Sequence, residues 1–114
     1  MIKKKYIWGI RLSNLKEHGK GHMMRIISLS SYLKGSIKFF LDSEENIDLF
    51  KKKYFTIEKD KTSIAKAKIC LKKGTIKYLI IDSYNIKKKD IINVSLIGPI
   101  CVFDDYDRSW PKNV

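Results

Sequence analysis

Five short, mostly apolar runs punctuate the chain: residues 6 to 12 (Tyr6-Ile7-Trp8-Gly9-Ile10-Arg11-Leu12), Ile37 to Leu41, Tyr54 to Ile57, Tyr78 to Ile81, and Ile100 to Phe103. They are apolar rather than alternating, so they predict strands buried on both faces of a sheet. Between them the period becomes helical. From His22 to Lys34, Met23, Ile26, Ile27 and Leu33 recur at helical spacing, Ser30 is a small contact on the same stripe, and Gly35 provides the stop. Asp42 followed by Glu45 resembles a capping box and predicts a helix through about Lys52. Asp60 to Ser63 supply turn and N-cap groups for a third helix, in which Ile64, Ala67 and Leu71 share a stripe and Gly74 closes the end. Residues 87 to 94 offer one more short helix. Residues 13 to 21, with Ser13, Asn14, Gly19 and Gly21, have no period and predict a loop.

The resulting order, β-α-β-α-β-α-β-α-β, predicts an α/β fold: a Rossmann-like, doubly wound parallel sheet of about five strands in the order 3-2-1-4-5. Ligands of such sheets bind beyond the carboxyl ends of the strands, near the switch point where strands 1 and 4 lie side by side. Polar residues following the strands are therefore the candidates: Ser13 to His22, Asp82-Ser83-Tyr84-Asn85, and Asp104-Asp105 with Asp107-Arg108.

Composition supports folding and narrows the context. The 114 residues are 44% hydrophobic and 11% aromatic with two prolines, in the globular range, and the length predicts a single domain over 1–114. No apolar stretch approaches the roughly 18 residues of a membrane span, and the run after Lys3-Lys4-Lys5 is too short for a signal-peptide core, so membrane insertion is not expected and a cytoplasmic location is the default. Cys70 and Cys101 lack paired spacing, which gives little support to a disulfide or a zinc site and predicts reduced, buried thiols.

The formal charge of +12 raises the question of nucleic acid or an anionic membrane surface. Yet 21 of the 24 basic residues are lysine, and Arg11, Arg25 and Arg108 are few for bidentate recognition. The tight runs at 51–53 and 72–73 fall at expected helix ends, where cations complement the helix dipole. A basic binding module remains an alternative of another class, without specific nucleic-acid recognition expected.

Gly19-Lys20-Gly21-His22-Met23-Met24-Arg25 joins a strand to a helix, where glycine permits close approach and the helix start offers N–H groups to an anion. It has neither the third glycine of the dinucleotide fingerprint nor the ending of a phosphate-binding P-loop. A helix N-terminus disfavours imidazolium, so His22 is expected to be neutral near pH 7 and able to accept a proton, with Arg25 on nearly the same face.

GKGHMMR after a strand and IR, then LIIDSYNI, then CVFDDYDR, resembles the amino-terminal half of the UDP-sugar hydrolases of pseudaminic acid biosynthesis, enzymes of the GT-B-like superfamily that are also similar to spore-coat polysaccharide proteins. The resemblance runs from about Ile10 to the end. It implies cofactor-free and metal-independent hydrolysis of a UDP-linked 2,4-diacetamido-2,4,6-trideoxy sugar, with water attacking the anomeric carbon and UDP leaving. His22 matches the histidine that acts as base. Gly19 and Gly21 match the loop, Arg25 the motif arginine that orients the loop or a phosphate, and Tyr84 a tyrosine of the sugar pocket with Asp82 beside it. Asp104, Asp105, Asp107 and Arg108 match a stretch that shapes the cleft floor. A glycosyltransferase of the same superfamily is the alternative within the class.

The sequence departs from that pattern at Arg11-Leu12-Ser13, where the family carries R-x-D. The family also continues into a second Rossmann-like domain that grips the diphosphate. The resemblance thus implies that this chain is a remnant or one half of a split enzyme with a separately encoded partner domain, and that residues 1–114 alone do not turn over UDP-sugar detectably.

Overall fold

A computed structural model describes residues 5–12, 21–42, 47–50, 55–60, 64–82, 86–104, 109–112 and 114. The elements run β1 (Tyr6–Leu12), α1 (Gly21–Ser30), β2 (Ile37–Leu41), a 3-10 turn (Ile47–Phe50), β3 (Phe55–Lys59), α2 (Ala65–Lys73), β4 (Ile76–Asp82), α3 (Lys88–Ser95) and β5 (Ile100–Phe103). All four strand pairings are parallel and the order is β3-β2-β1-β4-β5, as the crossover pattern predicts.

Each face of the sheet carries its own core, which is why the strands read as continuous apolar runs. On one face Ile10, Leu12, Phe39, Leu41 and Ile80 meet Met23, Ile26 and Ile27 of α1 and Phe50 of the 3-10 turn. On the other, Phe40, Leu79 and Ile81 meet Ala67 and Leu71 of α2 and Ile91 and Val94 of α3. The chain is therefore a Rossmann-like, doubly wound α/β fold.

Gly9 is needed in the middle of β1. A Cβ there would lie 2.6 Å from Ile76 Cδ1, 3.2 Å from Phe40 Cε2 and 3.3 Å from Leu79 Cδ1, all three residues being core members. At the end of α2, Gly74 adopts φ 76° in the left-handed region and its N–H bonds back to the helix carbonyls.

Several boundaries differ from the expectations. α1 stops at Ser30 rather than Lys34, because Ser30 Oγ donates to the Ile27 carbonyl and Ser31 Oγ to that of Ser28, both at 2.6 Å. The amides of Ser31, Tyr32 and Leu33 then bond three residues back instead of four, tightening the chain out of the α-helix before Gly35. Within the expected helix from Asp42 to Lys52, residues 47–50 form a 3-10 turn, while Glu45 and 51–53 lie outside the described residues. β3 extends to Lys59 and β4 begins at Ile76, each two residues beyond the apolar run, because backbone pairing continues through Glu58 and Lys59 on one strand and starts ahead of Tyr78 on the other. Cys101 is exposed, not buried, since it lies on the edge strand β5; Cys70 is half-buried, and both are free thiols.

Among the described residues no helix is long and apolar enough to cross a membrane.

Candidate functional site

The carboxyl edge of the sheet is built by a repeated local event: each of β2 to β5 ends on, or is followed by, an aspartate. Asp42 follows β2, Asp60 follows β3, Asp82 closes β4 and Asp104 follows β5. β1 contributes the opposite charge from its penultimate residue, Arg11.

Arg11 is only 2% exposed. Its Nη1 donates to the Asp82 carbonyl at 3.0 Å, and its Nη2 stands 3.5 Å from Asp42 Oδ2 in an ion pair. Burial pulls the guanidinium below its ordinary value, and the charges of Asp42, Asp82 and Asp60 pull it back up; an arginine remains charged through such a shift. One cation thus ties the ends of β1, β2 and β4 together.

Asp60, 1% exposed, has a second task. Its Oδ2 accepts the amides of Lys66 at 2.8 Å and Ala67 at 3.1 Å, satisfying N–H groups of the first turn of α2 in place of a side-chain cap at Ile64, which makes none. Burial raises its carboxyl above the ordinary value, against the lowering effect of those amides and of the Arg11 and Lys66 charges. The N-cap function expected of Asp60 to Ser63 is thus performed by Asp60; residues 61–63 lie outside the described residues.

The sequence-derived candidates fall on this edge unevenly. Gly21 opens α1, is exposed, and among the described residues has nothing within 4 Å of where a Cβ would stand. His22 is the second residue of α1, its side chain lying outside the description, and Arg25 is exposed on the same helix. Asp82 closes β4, is 1% exposed, and meets Arg11 through its own carbonyl. Asp104 accepts the Trp110 indole N–H at Oδ2, 3.0 Å, and so fastens the segment after β5 back onto the α2 and α3 face, where Trp110 packs. Gly19, Tyr84, Asp105, Asp107 and Arg108 lie outside the described residues.

Because β1 pairs directly with β4, with Arg11 opposite Ile81, the strand leading to α1 and the strand ending on Asp82 are neighbours at the switch point. Arg11 and Asp42 were not among the candidates read from the sequence, although a signal was present: three of the apolar runs are followed directly by aspartate, and the run over residues 6 to 12 has an arginine near its end. Chemically the carboxylates of the edge serve the fold, Asp42 on Arg11, Asp60 on the start of α2 and Asp104 on Trp110, and a set of acidic side chains does not favour anchoring a phosphate. Among the described residues no group of three or more histidine, cysteine, aspartate or glutamate side chains is placed to hold a metal ion.

Comparison of the chain with protein-family models, with curated proteins and with solved structures found no match.

Proposed function

We propose that the chain is the amino-terminal domain of a nucleotide-sugar hydrolase that acts on a UDP-linked diacetamido-trideoxy sugar in surface-glycan biosynthesis. One observation carries the reading: β1 and β4 are parallel neighbours, so the glycine-histidine start of α1 and the Asp82 end of β4 share the carboxyl edge at the switch point. That edge is where the resemblance of GKGHMMR and LIIDSYNI requires a sugar to lie. In this reading the sugar meets the exposed start of α1 and the diphosphate is gripped by a second domain. His22 acts as the base toward the attacking water, as the resemblance implies, and Gly21 leaves room for the sugar to approach.

A titration of the isotope-labelled chain with the UDP-sugar tests the binding half. Amide shifts are expected to concentrate on Gly21, His22, Arg25 and Asp82. Gly21→Ala meets no atom of the described residues, so it is expected to keep the melting temperature and weaken binding several-fold. Shifts confined to other surfaces, or unchanged binding by Gly21→Ala, would remove the site. Once an active assembly with a second domain is obtained, release of free sugar to water identifies a hydrolase, transfer to an added acceptor identifies the glycosyltransferase alternative, and His22→Ala is expected to abolish most turnover.

A further inference from the structure

A second feature lies away from the carboxyl edge, on the sheet face beside α2. Helix α2 runs back against the strands, so its last turn, with Lys73 and then Thr75, reaches the amino edge where β1 begins. Between this helix and the exposed part of β2 and β3 is a groove of about 460 Å³, lined among others by Tyr6, Lys38, Glu58, Lys66, Lys73 and Thr75. Its volume is within the range of small-molecule sites, roughly 300–1,000 Å³.

The charges in the groove do not cancel. Glu58 alone serves two lysines: its Oε2 is 2.6 Å from Lys38 Nζ and its Oε1 3.9 Å from Lys66 Nζ. Three ammonium groups against one carboxylate leave two positive charges in excess, and Lys73 has no ion pair among the described residues. Lys38 is held in place as well as charged. Its side chain is 19% exposed, and its Nζ lies 5.7 Å from the ring centroids of both Tyr6 and Phe40. Burial works against the Lys38 charge, but the hydrogen bond and charge of Glu58 outweigh it and leave the ammonium above its ordinary value. The neighbouring hydroxyls are committed, Tyr6 donating to Thr56 Oγ1 at 3.1 Å and Thr75 to the Cys70 carbonyl at 3.1 Å, which leaves the lysines as the available donors. Ile69 and the Tyr6 ring supply apolar surface beside them.

We propose that this groove binds the phosphoryl dianion of a small phosphomonoester, with Lys38, Lys66 and Lys73 around the phosphate and the carbon skeleton against Ile69 and Tyr6. Lysine serves phosphate as a point charge, and a ligand of charge −2 matches the excess on the groove walls. The site is separate from the sugar site proposed above and stands without it.

Titrating the isotope-labelled chain with inorganic phosphate and with glycerol 3-phosphate, at constant ionic strength, tests the proposal. Both are expected to give saturable shifts on Lys38, Lys66, Lys73 and Thr75, the monoester binding more tightly. Lys73→Ala, at an exposed position in the last turn of α2, is expected to weaken both by roughly tenfold. Lys89→Ala, exposed on α3, removes the same unit of net charge outside the groove and is expected to leave both unchanged. Non-saturating shifts spread over the surface, equal weakening by the two variants, or shifts on Gly21 and Asp82 in place of the groove residues would overturn the site; the sugar reading is tested separately by the UDP-sugar titration.

Discussion

Burying a guanidinium costs several kcal/mol unless charges and hydrogen bonds compensate it, and removing one partner of such a cluster is worse than never having built it. Arg11 is in that position: 2% exposed, bonded to the Asp82 carbonyl, paired with Asp42 and within the field of Asp60. Arg11→Met keeps much of the volume and removes the charge, so it is expected to destabilise the fold by about 3 kcal/mol at neutral pH, read as a lowered urea midpoint. The sign of the pH dependence follows. Arg11 holds the Asp60 carboxyl down against its burial, so without it that folded-state value rises further above the ordinary one, the folded variant takes up a proton there more readily than the unfolded chain, and the deficit shrinks as pH falls through the carboxylate range. A deficit below about 1 kcal/mol, or one that grows on acidification, would show that Arg11 does not hold this edge. This role could not be read from local pattern. The partners of Arg11 lie 31 and 71 residues away in the chain, and only the parallel pairing of β1 with β2 and β4 brings them together. Asp42 reads locally as a helix cap because Glu45 follows at the right spacing, a pairing that lies outside the described residues; that its Oδ2 also meets Arg11 is not legible from that spacing. Asp82 was legible because it needed only the end of an apolar run, and Gly21 because it follows a strand and precedes a helical stripe.

At the scale of elements, periodicity performed well wherever packing alone decides the outcome. The five strands, their order and the stripes of α1 and α2 follow from apolar spacing, and the two cores contain Met23, Ile26 and Ile27 on one side and Ala67 and Leu71 on the other. It performed less well where hydrogen bonds compete. Ser30 and Ser31 draw carbonyls of α1 away from the helix, and the edge strand β3 continues through Glu58 and Lys59 because pairing with Phe40 and Leu41 does not require them to be apolar. Gly9 is the element-level position whose demand is steric and can be tested directly. The nearest atom to an added Cβ belongs to Ile76, which is 1% exposed, with Phe40 and Leu79 fully buried behind it. Ile76 Cδ1 must give way and Phe40 and Leu79 are tightly approached, so Gly9→Ala is expected to cost about 1–3 kcal/mol, the range for overpacking a core. Thermal melts check it, and a melting temperature equal to that of the wild type would mean that the Ile76 side chain yields to the added methyl without loss.

For the molecule as a whole, charge is distributed by type as well as by sign. Aspartates close β2 to β5 at one edge, whereas the lysines of β2, α2, β4 and α3 are spread over the rest of the surface and include no arginine. Of the three arginines, Arg11 is buried and engaged, Arg25 is on α1, and Arg108 lies outside the described residues. A surface of this kind attracts a polyanion through many interchangeable lysine contacts, without the planar forks that read base edges or fix a register. Binding of that sort is driven by release of counterions, so its strength depends on salt with a slope set by the number of phosphates engaged. If about six lysines engage at once, affinity for duplex DNA is expected to fall roughly 10³-fold between ~50 and ~200 mM salt, with no preference among duplexes of different sequence. Fluorescence anisotropy across that range decides the matter. Retention of tight binding at ~200 mM, or discrimination between sequences, would require contacts that lysine alone does not make and would favour a nucleic-acid module over the proposed sugar-binding domain; a steep, sequence-blind loss leaves the +12 charge as a general property of the surface.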